Sequence, residues 1–114
     1  MEPVRIAYDV EDVQPSGAAI EVIRLGENDV TVSWPFKASR FHVPAGVTSE
    51  RDVHDVVEVW MVRSGRGVVV SGDTRTELSP GDMVFFPSRV EHQVTAVGAE
   101  DLKIFSIWWQ GTRG

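Results

Sequence analysis

The sequence predicts an all-β domain, a sandwich or a closed barrel, on three observations. Short apolar runs rich in valine, isoleucine and aromatic residues recur from Ala19 onward. Turn signals built on glycine, proline and aspartate separate them every 6 to 12 residues. No stretch sustains the period of an amphipathic helix. At 114 residues the chain has the length of one domain, 1–114, large enough to bury a core.

In chain order, residues 1–18 are acidic and turn-rich, with Pro15, Ser16 and Gly17 together, and read as an N-terminal arm. Ile20–Leu25 and Val30–Trp34 flank Gly26-Glu27-Asn28-Asp29 and predict a hairpin. Ser39–Val43 reads as a strand stopped by Pro44-Ala45-Gly46, and Asp55–Arg63 as the next. Ser64-Gly65-Arg66-Gly67 closes that strand and predicts a second hairpin turn. Val68–Ser71 and Thr74–Leu78 flank Gly72-Asp73, a third. Met83–Phe86 lies between the turn Ser79-Pro80-Gly81-Asp82 and Pro87, which cannot donate to a ladder. Gln93–Val97 and Leu102–Trp109 complete the set, and residues 110–114 read as a flexible tail.

Composition narrows the function classes. A net charge of −6 argues against nucleic acid as a partner, because phosphate binding needs a basic face. No apolar run approaches the roughly 18 residues of a membrane span. The start MEPVRIAYDVED has neither the basic onset nor the apolar core of a signal peptide, so a cytoplasmic location is the expectation. Without cysteine there is no thiol nucleophile and no thiolate metal ligand. Strands such as VVEVWMV and LKIFSIWW are apolar on both faces, which predicts burial between sheets or under a partner subunit. A homodimer is expected, with Trp108 and Trp109 in the core and at its interface.

The stretch Gly46–Gly67 carries the chemistry. On an extended strand Asp52, His54, Glu58 and Trp60 share one face, because side chains alternate. Two carboxylates and an imidazole aimed into a valine-rich interior are costly to bury unless something satisfies them. A cation is the simplest candidate. No G-x-S-x-G supports a serine nucleophile, and no helix follows Gly65-Arg66-Gly67 to receive a phosphate.

Two motifs give the chain a family resemblance. The first, G-x5-H-x-H-x3,4-E-x6-G, is matched at Gly46, His54, Glu58 and Gly65, with Asp52 where the first histidine stands. The second, G-x5-P-x-G-x2-H-x3-N, is matched at Gly81, Pro87 and His92, with Arg89 for a glycine and Ala96 for the asparagine. In these motifs the chain resembles the cupins. The resemblance implies a double-stranded β-helix, a jelly-roll barrel, holding one divalent metal ion (Fe, Mn, Ni or Zn). Its ligands would be Asp52, His54, Glu58 and His92. Even His54, Glu58 and His92 alone make the two-histidine, one-carboxylate set of non-haem iron sites.

The resemblance further implies a metal-dependent enzyme on a chelating hydroxy or keto small molecule, its reaction class open among isomerase, dioxygenase, lyase and decarboxylase. Other readings are a non-catalytic module binding a sugar or metabolite, and a metal-free epimerase or cyclase with His54 or His92 as base. His42, Trp60 and Arg89 are candidates to line the pocket, His42 in the barrel mouth, Trp60 on its wall and Arg89 facing an anionic substrate. The plainer readings are an exposed or core-edge strand histidine, a core tryptophan and a solvated arginine. Asp55 points away from the metal by parity.

Overall fold

The computed structural model describes residues 3, 5–24 and 35–111. Among them are nine strands: β1 (Asp12–Val13), β2 (Ala19–Val22), β3 (Lys37–Val43), β4 (Val57–Ser64), β5 (Arg66–Ser71), β6 (Thr74–Leu78), β7 (Met83–Phe86), β8 (Gln93–Val97) and β9 (Leu102–Trp109). They form a six-stranded sheet in the order β1-β2-β3-β9-β4-β7 and a three-stranded sheet in the order β6-β5-β8. Every pairing is antiparallel. From β4 on, the chain passes repeatedly between the sheets, so sequence neighbours are seldom ladder neighbours. The architecture is an all-β jelly-roll barrel.

The core lies between the sheets. Trp60 and Val62 of β4, Leu102 and Ile104 of β9, Val43 of β3 and Phe86 of β7 meet Val69, Leu78, Val94 and Ala96 from the smaller sheet. Alternation fixes this. On β9, Leu102, Ile104 and Ser106 are buried while Lys103 and Ile107 are exposed.

Gly65 corrects the hairpin expected at Ser64-Gly65-Arg66-Gly67. Strands β4 and β5 flank it but sit in different sheets, so it is a crossing and not a hairpin turn. Its φ is 80°, and an added Cβ would lie 2.2 Å from the Asp101 carbonyl oxygen. Only glycine permits both the left-handed backbone and that approach.

Most of the expected first hairpin, residues 25–34 with its turn and second strand, lies outside the described residues. Strand β2 pairs with β1 and β3. The N-terminal segment is tied to the barrel. Ser16 donates its N–H and hydroxyl to the two Glu50 oxygens at 2.8 and 2.5 Å, and Ala18 is fully buried.

The outer face of the large sheet is apolar at its β9-β4-β7 end. Val59 pairs with Phe85 and with Ile107, and Met61 pairs with Met83, so these side chains form adjacent rows. Met83 is 67% and Phe85 58% exposed.

Candidate metal centre

Four side chains converge at one end of the barrel. One ligand atom from each of Asp52, His54, Glu58 and His92 lies within 4.8 Å of all the others. His54 Nε2 is 3.1 Å from Glu58 Oε1 and 3.8 Å from Asp52 Oδ2. His92 Nε2 is 3.6 Å from Glu58 Oε1 and 3.9 Å from Asp52 Oδ2.

The convergence has a different origin from simple strand alternation. Strand β4 begins at Val57, not Asp55, and the segment before it turns. Asp52 is placed instead by an isolated antiparallel bridge to His92, their N–H groups each donating to the other's carbonyl at 2.9 Å. One short bridge thus brings both motifs together.

Each ligand candidate is oriented from behind. His54 Nδ1 is 2.8 Å from the Val56 carbonyl, and His92 Nδ1 is 3.3 Å from that of Val90. A ring nitrogen facing a carbonyl carries the proton, which leaves the Nε2 lone pairs aimed at the common centre. His92 is 2% exposed, stacked on Phe86 at 4.2 Å and edge-on to Trp60 at 5.6 Å. Glu58 presents Oε1 to the histidines while the Ser106 hydroxyl donates to its Oε2. Two neutral imidazoles and two carboxylates are a donor set that suits a divalent first-row metal, so the residues present fit the ion.

Burial works to lower the His54 pKa, but the hydrogen bond to the Val56 carbonyl and the nearby Glu58 and Asp52 carboxylates outweigh it. The pKa stands above its ordinary 6.5. In the metal-free protein the resulting stabilisation is fully present below pH 6.5 and is lost as pH rises through the folded value. A metal needs the neutral ring. Its apparent affinity should therefore begin to fall above pH 6.5 on acidification, by about tenfold per unit for this one proton. Calorimetric titrations with manganese(II) at several pH values check this.

A cavity of about 290 Å³ opens beside the cluster. Asp52, Glu58 and His92 line it with Phe41 and Trp60, and Ser39 and Ser106 add hydroxyl-bearing wall. Trp60, one of the three pocket candidates, is thus among the lining residues. His42 and Arg89 are not. His42 faces the outer side of β3, where its Nε2 is 2.8 Å from Asp101, because Ser39, Phe41 and Val43 are the inward residues of that strand. The hydrogen bond from His42 and that from the Ala45 N–H hold the Asp101 carboxyl below its ordinary value.

Arg89 points into solvent and pairs with Asp55 at 2.9 Å. Its role is in the backbone: φ is 61°, and its N–H donates to the His54 carbonyl at 2.7 Å. The left-handed conformation explains why the motif has glycine here. Arg89→Gly should relieve about 1 kcal/mol of strain, partly offset by greater freedom of the unfolded chain, and raise Tm by a few degrees. Thermal melts read this directly.

Ser106 and Ser39 were missed by sequence reasoning. Ser106 had a signal, as the lone polar residue among Leu102, Ile104 and Trp108 in the inward register of β9. Ser39 shares its register with Lys37 and had a weaker one.

A cupin domain model matches residues 39–108, more than half of the chain. The chain is similar to a Cupin 2 conserved barrel domain protein from Salinispora arenicola, at 25% identity and a TM-score of 0.72, covering 89% of this chain and 90% of that one. It is similar to the plu4264 protein of Photorhabdus luminescens, at 22% identity and a TM-score of 0.75, covering 96% and 88%. KdgF from a Halomonas species matches at 18% identity and a TM-score of 0.69, covering 93% and 89%.

Proposed function

The chain belongs to the cupin domain family, and from that premise we propose that it is a metal-dependent enzyme acting on a small hydroxy or keto acid inside the barrel. The observation that supports it is the convergence of Asp52, His54, Glu58 and His92 on one point beside a cavity. In this reading the four residues hold one divalent ion, which supplies Lewis acidity toward a chelating oxygen pair. His54 and His92 keep their Nε2 lone pairs turned to the centre through the Val56 and Val90 carbonyls. Ser106 restrains Glu58 so that one oxygen stays on the metal side. Trp60 and Phe41 limit water along the cavity and orient the carbon skeleton.

The test uses cobalt(II) as a spectroscopic stand-in. Titrating the cobalt-loaded protein with 2-hydroxybutyrate and 2-oxobutyrate should shift its visible absorption, followed by turnover assays on the acids that bind. A cobalt spectrum blind to both acids contradicts the substrate reading. Spectral shifts without turnover of any bound acid favour a binding module.

We also propose that the apolar outer face pairs with a second copy of the chain. Met61, Met83, Phe85, Ile107 and Trp109 are all at least 36% exposed and lie on the strands β9, β4 and β7. Together they present roughly 500 Å² of apolar surface, at the upper end of what a monomer leaves bare. A flat apolar sheet face can meet its own two-fold copy without any charge to match. Met83→Lys with Phe85→Lys should convert a dimer to a folded monomer in light scattering. A monomeric wild type contradicts the pairing.

A further inference from the structure

Three serines are buried among the described residues, and they differ in how their hydroxyls are used. Ser49 donates to the Glu50 carbonyl and accepts from the Val94 N–H, both at 3.1 Å. Ser106 donates to Glu58. Ser39 is 2% exposed, and among the described residues its Oγ has no hydrogen-bond partner. A buried hydroxyl without a partner is disfavoured and rare in a folded protein. Alanine would fill the same space on β3 without that penalty.

Its position gives the hydroxyl a use. Ser39 lies opposite Ser106 across the β3–β9 ladder, and Ser106 lies opposite Trp60 across β9–β4. The three form one inward row, and all line the cavity beside the metal centre. Ser39 stands one strand spacing, about 4.8 Å, beyond the serine that holds Glu58. That is the reach of a four- or five-carbon chain whose near end meets the ligand cluster.

We propose that Ser39 is a specificity residue that hydrogen-bonds an uncharged oxygen at the far end of the bound small molecule. This rests on the reading of the cavity as the site of a chelating acid, and it narrows that class to acids with a further hydroxyl or carbonyl. Charge complementarity gives the neutrality. The cation lining the cavity is Arg51, whose side chain is 74% exposed and lies 3.5 Å from Glu91, whereas Glu50, Asp52 and Glu58 all bring carboxylates. Among the described residues, a second carboxylate on the ligand would find no counter-charge beside Ser39. Trp60 and Phe41 provide the apolar wall along which the connecting carbons lie.

The experiment titrates manganese-loaded wild type and Ser39→Ala calorimetrically with two matched pairs of acids. These are 2-hydroxybutyrate with 2,4-dihydroxybutyrate, and 2-hydroxypentanoate with 2,5-dihydroxypentanoate. Wild type should prefer the dihydroxy member of at least one pair by about tenfold. Ser39→Ala should abolish that preference, leave affinity for the monohydroxy acids unchanged, and melt no lower than wild type. A merely structural hydroxyl would move stability and all four affinities together, which overturns the proposal. Equal affinity within both pairs in wild type also overturns it. So does a crystal structure of the 2,4-dihydroxybutyrate complex in which Ser39 Oγ binds only a retained water. Failure of wild type to bind any of the four acids sinks the chelating-acid reading itself.

Discussion

His54→Ala and His92→Ala should each lose divalent metal while keeping the barrel. Apparent affinity is expected to fall by more than about 100-fold, beyond what loss of a supporting hydrogen bond costs. Both rings aim a lone pair at the same centre, and among the described residues neither has a further neighbour able to replace it. The two variants differ in their side effects. His92 is packed between Phe86 and Trp60, so its removal opens a cavity and should also destabilise the fold by about 2 kcal/mol. The His54 side chain is 22% exposed, and Arg89 bonds its backbone carbonyl, which alanine retains. His54→Ala is thus the cleaner variant, with metal content and thermal melts read on the same sample. Asp52→Ala should do less, since that side chain is 62% exposed and its backbone bridge to His92 survives.

Gly65→Ala should be the most damaging of the alanine substitutions at the described glycines. At φ 80° any L-residue is strained by about 1–2 kcal/mol. The new Cβ would also stand 2.2 Å from the Asp101 carbonyl oxygen and 2.9 Å from Leu102 Cα, both backbone atoms. No rotamer relieves that collision, so β4 or the start of β9 must move. Leu102 is fully buried in the core, which leaves little room to yield. A total loss of about 4 kcal/mol or more is expected, placing the variant among the rare severe substitutions. Tm should drop by roughly 15 °C or more. By contrast Gly72→Ala meets no atom within 4 Å and bears only the backbone strain of φ 57°, so it should cost far less. Melts of the two variants side by side separate collision from strain.

Local chemistry explains which parts of the fold were legible. Strands β6, β7, β8 and β9 fall where glycine, proline and aspartate punctuate the chain, because turns and strand interiors need different residues. The pairing of strands was not legible. Gly65 looks like a hairpin turn in sequence, and whether the next strand folds back or crosses to the other sheet depends on distant partners. The candidate ligands were legible because four chemically costly groups stood at motif spacing, although the bridge between Asp52 and His92 does the work assigned to alternation.

His42 shows the limit of alternation. Parity correctly put it with Arg40, but parity does not say which face is inward; Phe41 and Val43 settle that by packing into the core. Arg89 shows another limit, since only the motif's glycine marks the positive φ at this position and an arginine there does not announce it. Ser106 was legible in principle, as a lone serine in the apolar inward register of β9, whereas Ser39 shares its register with Lys37 and stands out only once its burial is known.

The central claim is that these four side chains form one metal site. Its most direct test is the metal stoichiometry of tag-free protein, stripped with chelator and titrated with manganese(II), iron(II), nickel(II) and zinc(II) in turn. One ion per chain is expected for at least one of these metals, with His54→Ala binding none under the same conditions. Wild-type protein that takes up no metal from any of the four titrations would contradict it.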